Sequence, residues 1–409
     1  MLDQAQPNGA ANGTVMLRSS SRRRLAWIAP LALLFLLTGC AHPLRGYESL
    51  LVLADTAAGA GPSRLKATTP APRRIPVTYE VAGRKHTGDL YLPGEGKPEA
   101  GIVLVPGAVP EGKDDARLVA FATTLARASF AVLAPEIPGF RQMQIGSSDA
   151  REVADAFAYL ASRTDFAPGG RVGIGAFSYA VGPAVLAALE PDIRERVRFI
   201  VGVGGYHDFG RTMRYFTTGY FEQDGEWTYL KPDDYGKLVF VHSSMPYLSS
   251  PRDRELLEAM VARKLKDIEA DVSDLAAALG AEGRSVYEAV TNADPLRVQA
   301  LLAALPAPLY ADLQALSLHD KALSRLKARL ILVHGRNDNL IPFPESIALA
   351  QAVPASQARL YLINQILGHV DLSLGHVLSW QFLSRELPDI WRMWRALDAL
   401  LAERGTDGG

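Results

Sequence analysis

The sequence predicts an α/β fold: a mostly parallel, doubly wound sheet with helices on both faces and a mainly helical insertion. Three observations carry that expectation. Short apolar runs recur at 101–105, 130–134, 172–175, 198–203, 328–333 and 359–363, the pattern of strands covered on both faces. Segments with helical spacing of apolar residues fall between them, and alternation at this rhythm implies parallel βαβ units. The alternation stops at Gly205 and resumes at Ala328, so residues 205–326 read as an insertion into a sheet that later completes itself. Its expected place is over the C-terminal edge of the strands, where ligands bind in open α/β sheets.

Taken in order, residues 1–39 read as a signal peptide rather than as part of the fold. Arg18, Arg22, Arg23 and Arg24 form a positive region, and residues 25–37 an apolar one too short to span a bilayer comfortably. The run ends in Leu37-Thr38-Gly39-Cys40, which resembles the bacterial lipobox, where cleavage precedes a cysteine that is then acylated. Cys40 is the only cysteine of the 409 residues and stands where that motif needs it. The resemblance implies a lipoprotein of the cell envelope with a soluble body, attached to a membrane surface by acyl chains at Cys40. Ala41 follows it, not the aspartate associated with inner-membrane retention.

A helix is expected over 47–58, then a connector rich in Ala, Gly and Pro to Arg74. Strands at 77–81 and 88–92 flank a hairpin-type break at Ala82-Gly83-Arg84. After the strand at 101–105 come a helix at 116–128, a strand at 130–134, a helix at 149–161, the strand at 172–175 with its helix, and the strand at 198–203. Within the insertion the pattern gives loops rich in aromatic residues (Tyr206, Tyr215, Phe216, Tyr220, Phe221, Trp227, Tyr229), then one helical stretch over 252–279. Strands at 328–333 and 359–363 and a helix from Leu372 onward close the chain.

The stretch around Ser178, Arg171-Val-Gly-Ile-Gly-Ala-Phe-Ser-Tyr-Ala-Val-Gly-Pro-Ala184, carries the chemistry. A buried strand must turn there sharply into a helix, and Ser178 sits on the turn, the geometry of a nucleophile elbow. The residues two before and two after it must be small, and they are Ala176 and Ala180 where the usual pattern has glycine. A serine between strand and helix also serves as an N-cap, so the elbow needs partners elsewhere.

The order of features over 77–401 resembles the α/β-hydrolase family, with the insertion where that family carries its cap. The resemblance implies a Ser, acid, His triad in that chain order. Ser178 falls on the nucleophile. His334-Gly335-Arg336-Asn337-Asp338-Asn339-Leu340-Ile341-Pro342 resembles the acid segment and puts Asp338 on the carboxylate; Asp208, just past the strand at 198–203, is the rival acid. Asp338 could instead cap a helix starting near Pro344, and His334, lying before the turn, reads as structural. Gly368-His369 follows the last strand, 31 residues after Asp338, and implies His369 as the base, with His376 the competitor. The oxyanion hole is implied at the N–H of Tyr179 and, after the strand at 101–105, at Ala108 first or Val109 second. Pro106-Gly107 stands where the family commonly has His-Gly.

The resemblance implies these domains: 1–39 signal peptide, 40–74 lipidated N-terminus and linker, 75–204 first part of the core, 205–326 helical cap, 327–402 second part of the core, 403–409 tail. It implies hydrolysis of carboxylic esters through an acyl-enzyme, with lipase, amidase and acyltransferase chemistry as alternatives and a non-catalytic binding scaffold as a different class. Pro135-Glu-Ile-Pro-Gly139 and Gly88-Asp-Leu-Tyr-Leu-Pro93 resemble the dienelactone-hydrolase side of the family, although Ser178 stands where true dienelactone hydrolases have cysteine. A net charge of −1 with no basic block beyond the N-terminus excludes a nucleic-acid surface. No cofactor or metal is expected: a single cysteine makes no cysteine-based metal site, and neither a His-x-x-x-His pair nor a Walker loop occurs. The expected partners are a small-molecule ester and, through Cys40, a membrane.

Overall fold

The computed structural model describes residues 43–364 and 386–405. Cys40, His369 and His376, and the start of the helix expected from Leu372, lie outside them. From Glu48 onward the described residues form one compact unit.

The frame is an eight-stranded sheet: β1 (Arg73–Val81), β2 (Arg84–Leu92), β3 (Ala100–Val105), β4 (Phe130–Pro135), β5 (Val172–Phe177), β6 (Phe199–Val203), β9 (Arg329–Gly335) and β10 (Ala358–Ile363), in the spatial order 1-2-4-3-5-6-9-10. β1 and β2 form an antiparallel hairpin and β2 runs antiparallel to β4; every other pairing is parallel. The hairpin closes through Ala82 and Gly83, both at positive φ (49° and 80°), a two-residue turn whose twist suits the strands it joins.

β3 is buried along its whole length, and alternation sends its side chains to two cores. Val103 and Val105 join Phe157, Leu160 and Val185, carried by the helices at Asp149–Ala161 and Val181–Ala187. Ile102 and Leu104 join Val52, Leu125 and Leu400, carried by the helices at Pro43–Ala58, Ala116–Arg127 and Leu387–Ala402. Helices thus cover both faces, as the alternation predicts. The N-terminal helix is tied down by Asp55, whose carboxylate accepts from Thr124 (2.6 Å) and Lys66 (2.6 Å).

The segment between β6 and β9 contains a helix α1 (Phe209–Thr218), a hairpin β7–β8 (Tyr220–Gln223, Glu226–Tyr229), helices α2 (Tyr235–Ser244), α3 (Pro251–Lys266), α4 (Ser273–Ala277), α5 (Ala281–Thr291), α6 (Val298–Ala303) and α7 (Ala307–Leu316). Its buried residues, among them Leu257, Val286, Leu309 and Leu316, run into the same core as Val103 and Val185. Two readings of this segment need correction. The stretch expected as one helix over 252–279 is two, because Asp267 and Asp271 turn their carboxylates onto the N–H groups of Glu269 and Ser273 and so compete with the helix. The aromatic loop holds a hairpin, turned by Asp224-Gly225 at φ 52° and 83°, a sequence signal for such a turn.

Candidate active site

β5 runs on to Phe177, and the chain then enters a single 3-10 turn, Ser178–Ala180, before the helix at Val181–Ala187. Ser178 sits at φ +55°, left-handed backbone that a non-glycine residue holds only when its surroundings impose it. Those surroundings are dense. Ala176 and Ala180 are buried, and a Cβ on Gly182 would overlap the Tyr206 hydroxyl. The N-cap of the turn is Phe177, not Ser178. The Ser178 hydroxyl has no hydrogen-bond partner among the described residues, so the capping role weighed for it is not the one it has here. The Tyr179 N–H lies in the first turn, where a helix supplies no acceptor of its own.

After β3 the chain passes through Pro106 and Gly107 to Ala108. The Val109 N–H donates to the Gly107 carbonyl (2.9 Å), whereas the Ala108 N–H donates to no group among the described residues. The Ala108 carbonyl accepts from the Tyr235 hydroxyl of α2 (2.8 Å). Burial pushes that phenol up to about 12, so it remains a donor.

Asp338 follows β9 and is 2 % exposed. Its Oδ1 accepts from the N–H groups of Leu340 (2.9 Å) and Ile341 (3.0 Å), and its Oδ2 lies 3.4 Å from His334 Nε2. The helix starting at Pro344 has Phe343 as its N-cap and no side-chain cap, so Asp338 does not serve it. The insertion braces this loop: Tyr215 donates to the Asp338 carbonyl (3.1 Å) and the Asp233 N–H to the Asn339 carbonyl (2.8 Å). His334 is fully buried between Ser346 Oγ (2.7 Å) and the Ile341 carbonyl (2.9 Å), a packing role. Asp208, the rival acid, caps α1 by accepting from the Arg211 N–H (3.0 Å).

Ser178, Tyr179, Ala108 and Leu340 line one cavity of about 880 Å³. Phe209, Phe216, Tyr235, Val239 and Phe240 wall it on the side of the insertion, and Phe121, Phe177 and Leu397 on the other. Of the seven aromatic residues singled out in the sequence, Tyr206 and Phe216 reach it. Tyr215 and Phe221 instead pack with Phe343, and Trp227 and Tyr229 are exposed.

A buried pair beneath the elbow was not legible. The Tyr179 hydroxyl donates to Asp149 Oδ2 (2.8 Å), which also accepts the Gly146 N–H (2.9 Å). Burial pushes the Asp149 carboxyl up to about 7 against those two hydrogen bonds and raises the Tyr179 phenol well above its usual range. Asp149 looks like a helix-start residue in sequence, so nothing marks its partner 30 residues on.

No family model matches the chain, and no curated protein matches its sequence. Its fold does match solved structures. A Legionella pneumophila protein assigned as a hydrolase superposes with a TM-score of 0.52 at 10% identity, covering 84% of this chain and 92% of that one. A Pyrobaculum calidifontis esterase gives 0.42 at 14% identity (88% and 90% covered), and Est1E of Butyrivibrio proteoclasticus 0.41 at 12% (80% and 98%). With the sheet described above, the chain has the α/β-hydrolase fold.

Proposed function

We propose that the protein is a serine hydrolase of carboxylic esters, with Ser178 as nucleophile, Asp338 as acid and His369 as base. The observation that carries the reading is the backbone of Ser178: φ +55° at a strand-to-helix turn, with a hydroxyl that has no partner among the described residues, on the wall of a cavity. Such a conformation costs about 1–3 kcal/mol, and at Ser178 it turns the chain from β5 into a helix on the wall of the cavity. Tyr179 and Ala108 border the same cavity, and the occupied N–H of Val109 favours Ala108 as the second oxyanion donor. The buried, doubly hydrogen-bonded Asp338 suits an acid that fixes an imidazole tautomer. His369 rests on its place in the sequence.

In this reading the Ser178 Oγ attacks the acyl carbon while His369 takes its proton. The carbonyl oxygen becomes an oxyanion facing the N–H groups of Ala108 and Tyr179, each such donor being worth about 10²–10³ in rate. The intermediate collapses, the C–O bond to the alcohol breaks, and His369 returns the proton to the leaving oxygen. Water, deprotonated by the same imidazole, then attacks the acyl-enzyme, releasing the acid and restoring Ser178. Apolar walls at Phe216, Val239, Phe240 and Phe121 suit an ester with apolar groups around its carbonyl, and the volume suits a small molecule.

The test is a panel of acyl esters of increasing chain length on the protein lacking residues 1–40. The reading expects turnover that Ser178→Ala and His369→Ala each abolish; turnover surviving in Ser178→Ala overturns it. Attachment to the cell envelope through an acylated Cys40 is proposed on the sequence motif alone. Incorporation of a labelled fatty acid that Cys40→Ser prevents is the expected result, and no incorporation in the native chain contradicts it.

A further inference from the structure

The insertion does more than cover the cavity. Tyr235, Val239 and Ser243 fall at four-residue spacing on one face of α2. The helix is tied to the core near both ends: Tyr235 donates to the Ala108 carbonyl after β3 (2.8 Å), and Ser243 Oγ accepts the N–H of Ile145 in the segment after β4 (2.9 Å). Between those ties Gly236, Val239 and Phe240 line the cavity.

Ala108 packs its methyl into the core, but few hydrogen bonds fix the main chain around it. Pro106 has no N–H, and a Cβ added at Gly107 would touch nothing within 4 Å, so no packing pins that residue. The flanks of Ala108 are fixed by two hydrogen bonds, Val109 N–H to the Gly107 carbonyl (2.9 Å) and Tyr235 hydroxyl to the Ala108 carbonyl. The first is internal to the loop. The second ties Ala108 itself to another element, the insertion, while two residues further on the Pro110 carbonyl accepts from Arg141 (3.3 Å).

We propose that Tyr235 is a positioning residue for the oxyanion site: from the cap, its hydroxyl holds the Ala108 carbonyl and so keeps the Ala108 N–H available beside Ser178. This rests on the serine-hydrolase reading. Its consequence is that the oxyanion site is complete only with α2 docked, so the insertion contributes to the rate as well as to the shape of the pocket. A preorganised donor is worth most because it costs no rearrangement during reaction. A loop released from its anchor keeps the donor but loses that advantage.

The experiment uses Tyr235→Phe, which keeps the ring and its packing and removes the hydroxyl. The expected result is kcat lower by about 10–100-fold, below the 10²–10³ for losing a donor outright, with KM within about twofold and the melting midpoint unchanged. Labelling of Ser178 by a fluorophosphonate should slow in parallel, since the phosphonyl oxygen occupies the same hole. Ala108→Pro removes the N–H itself, and Tyr235→Phe added to it should cost no further kcat, the signature of two residues acting through one group. Wild-type kcat in Tyr235→Phe, additive losses in the double variant, or a kcat loss matched by a fall in melting midpoint each overturn the proposal. If Ser178→Ala retains turnover, the serine reading fails and takes this one with it; if Ser178→Ala is dead while Tyr235→Phe is fully active, Tyr235 alone is refuted.

Discussion

Replacing Ser178 by glycine and by alanine separates what the elbow costs from what the hydroxyl does. At φ +55° a residue with a Cβ sits in left-handed backbone, which costs about 1–2 kcal/mol relative to ordinary conformations. Alanine keeps that cost; glycine removes it. Glycine also brings a more disordered unfolded chain, worth about 0.5–1 kcal/mol against folding. The difference leaves Ser178→Gly more stable than Ser178→Ala by about 0–1.5 kcal/mol, with both inactive. Equilibrium urea unfolding of the two variants at one pH reads this directly, as a shift of midpoint at unchanged slope. A glycine variant less stable than the alanine variant would mean that the left-handed conformation is not held in the folded protein, and the elbow would lose its physical basis.

Further outcomes follow from neighbouring contacts. Gly182→Ala drives a methyl into the Tyr206 hydroxyl and should destabilise by about 1–3 kcal/mol, with part of the loss recovered in Gly182→Ala, Tyr206→Phe; no recovery contradicts the assigned clash. Asp338→Asn keeps an acceptor for the Leu340 and Ile341 N–H groups, so stability should hold while kcat falls by about 10⁴. Asp338→Ala leaves both N–H groups without it and should also cost about 2–3 kcal/mol in unfolding. Asp149, raised to about 7 by burial, binds a proton in the folded chain that the unfolded chain releases above about pH 4. Stability should therefore be full below about pH 4 and fall by up to about 4 kcal/mol as pH rises to about 7. Asp149→Asn should flatten that slope, and an unchanged slope in unfolding experiments across this window contradicts the assignment.

Much of the frame was legible because burial writes itself into composition. β3 and β4 lie between helices on both sides and so must be apolar throughout, which is why their runs stand out. The helix at Asp149–Ala161 has the predicted bounds, its apolar residues falling at helical spacing. The insertion was harder. Its elements bury side chains against the core and against one another, so no single period marks them. Short aspartate-turned breaks such as 267–271 look helical in composition, and the Asp224-Gly225 turn passed unread among aromatic neighbours. The strand-to-helix turn at Ser178 was legible because it demands small residues two positions away on either side. The bond from Tyr235 to Ala108 spans 127 residues and the pairing of Tyr179 with Asp149 spans 30. Neither leaves a local trace, since a hydrogen bond between distant residues constrains only two side-chain or main-chain groups.

The most direct measurement is the mass-spectrometric location of the adduct after treating the native protein with a fluorophosphonate. The account predicts one modified residue, Ser178, with labelling slowed by orders of magnitude in His369→Ala and in Asp338→Asn. An adduct on any other residue, or none under conditions where the protein turns over an ester, would contradict it.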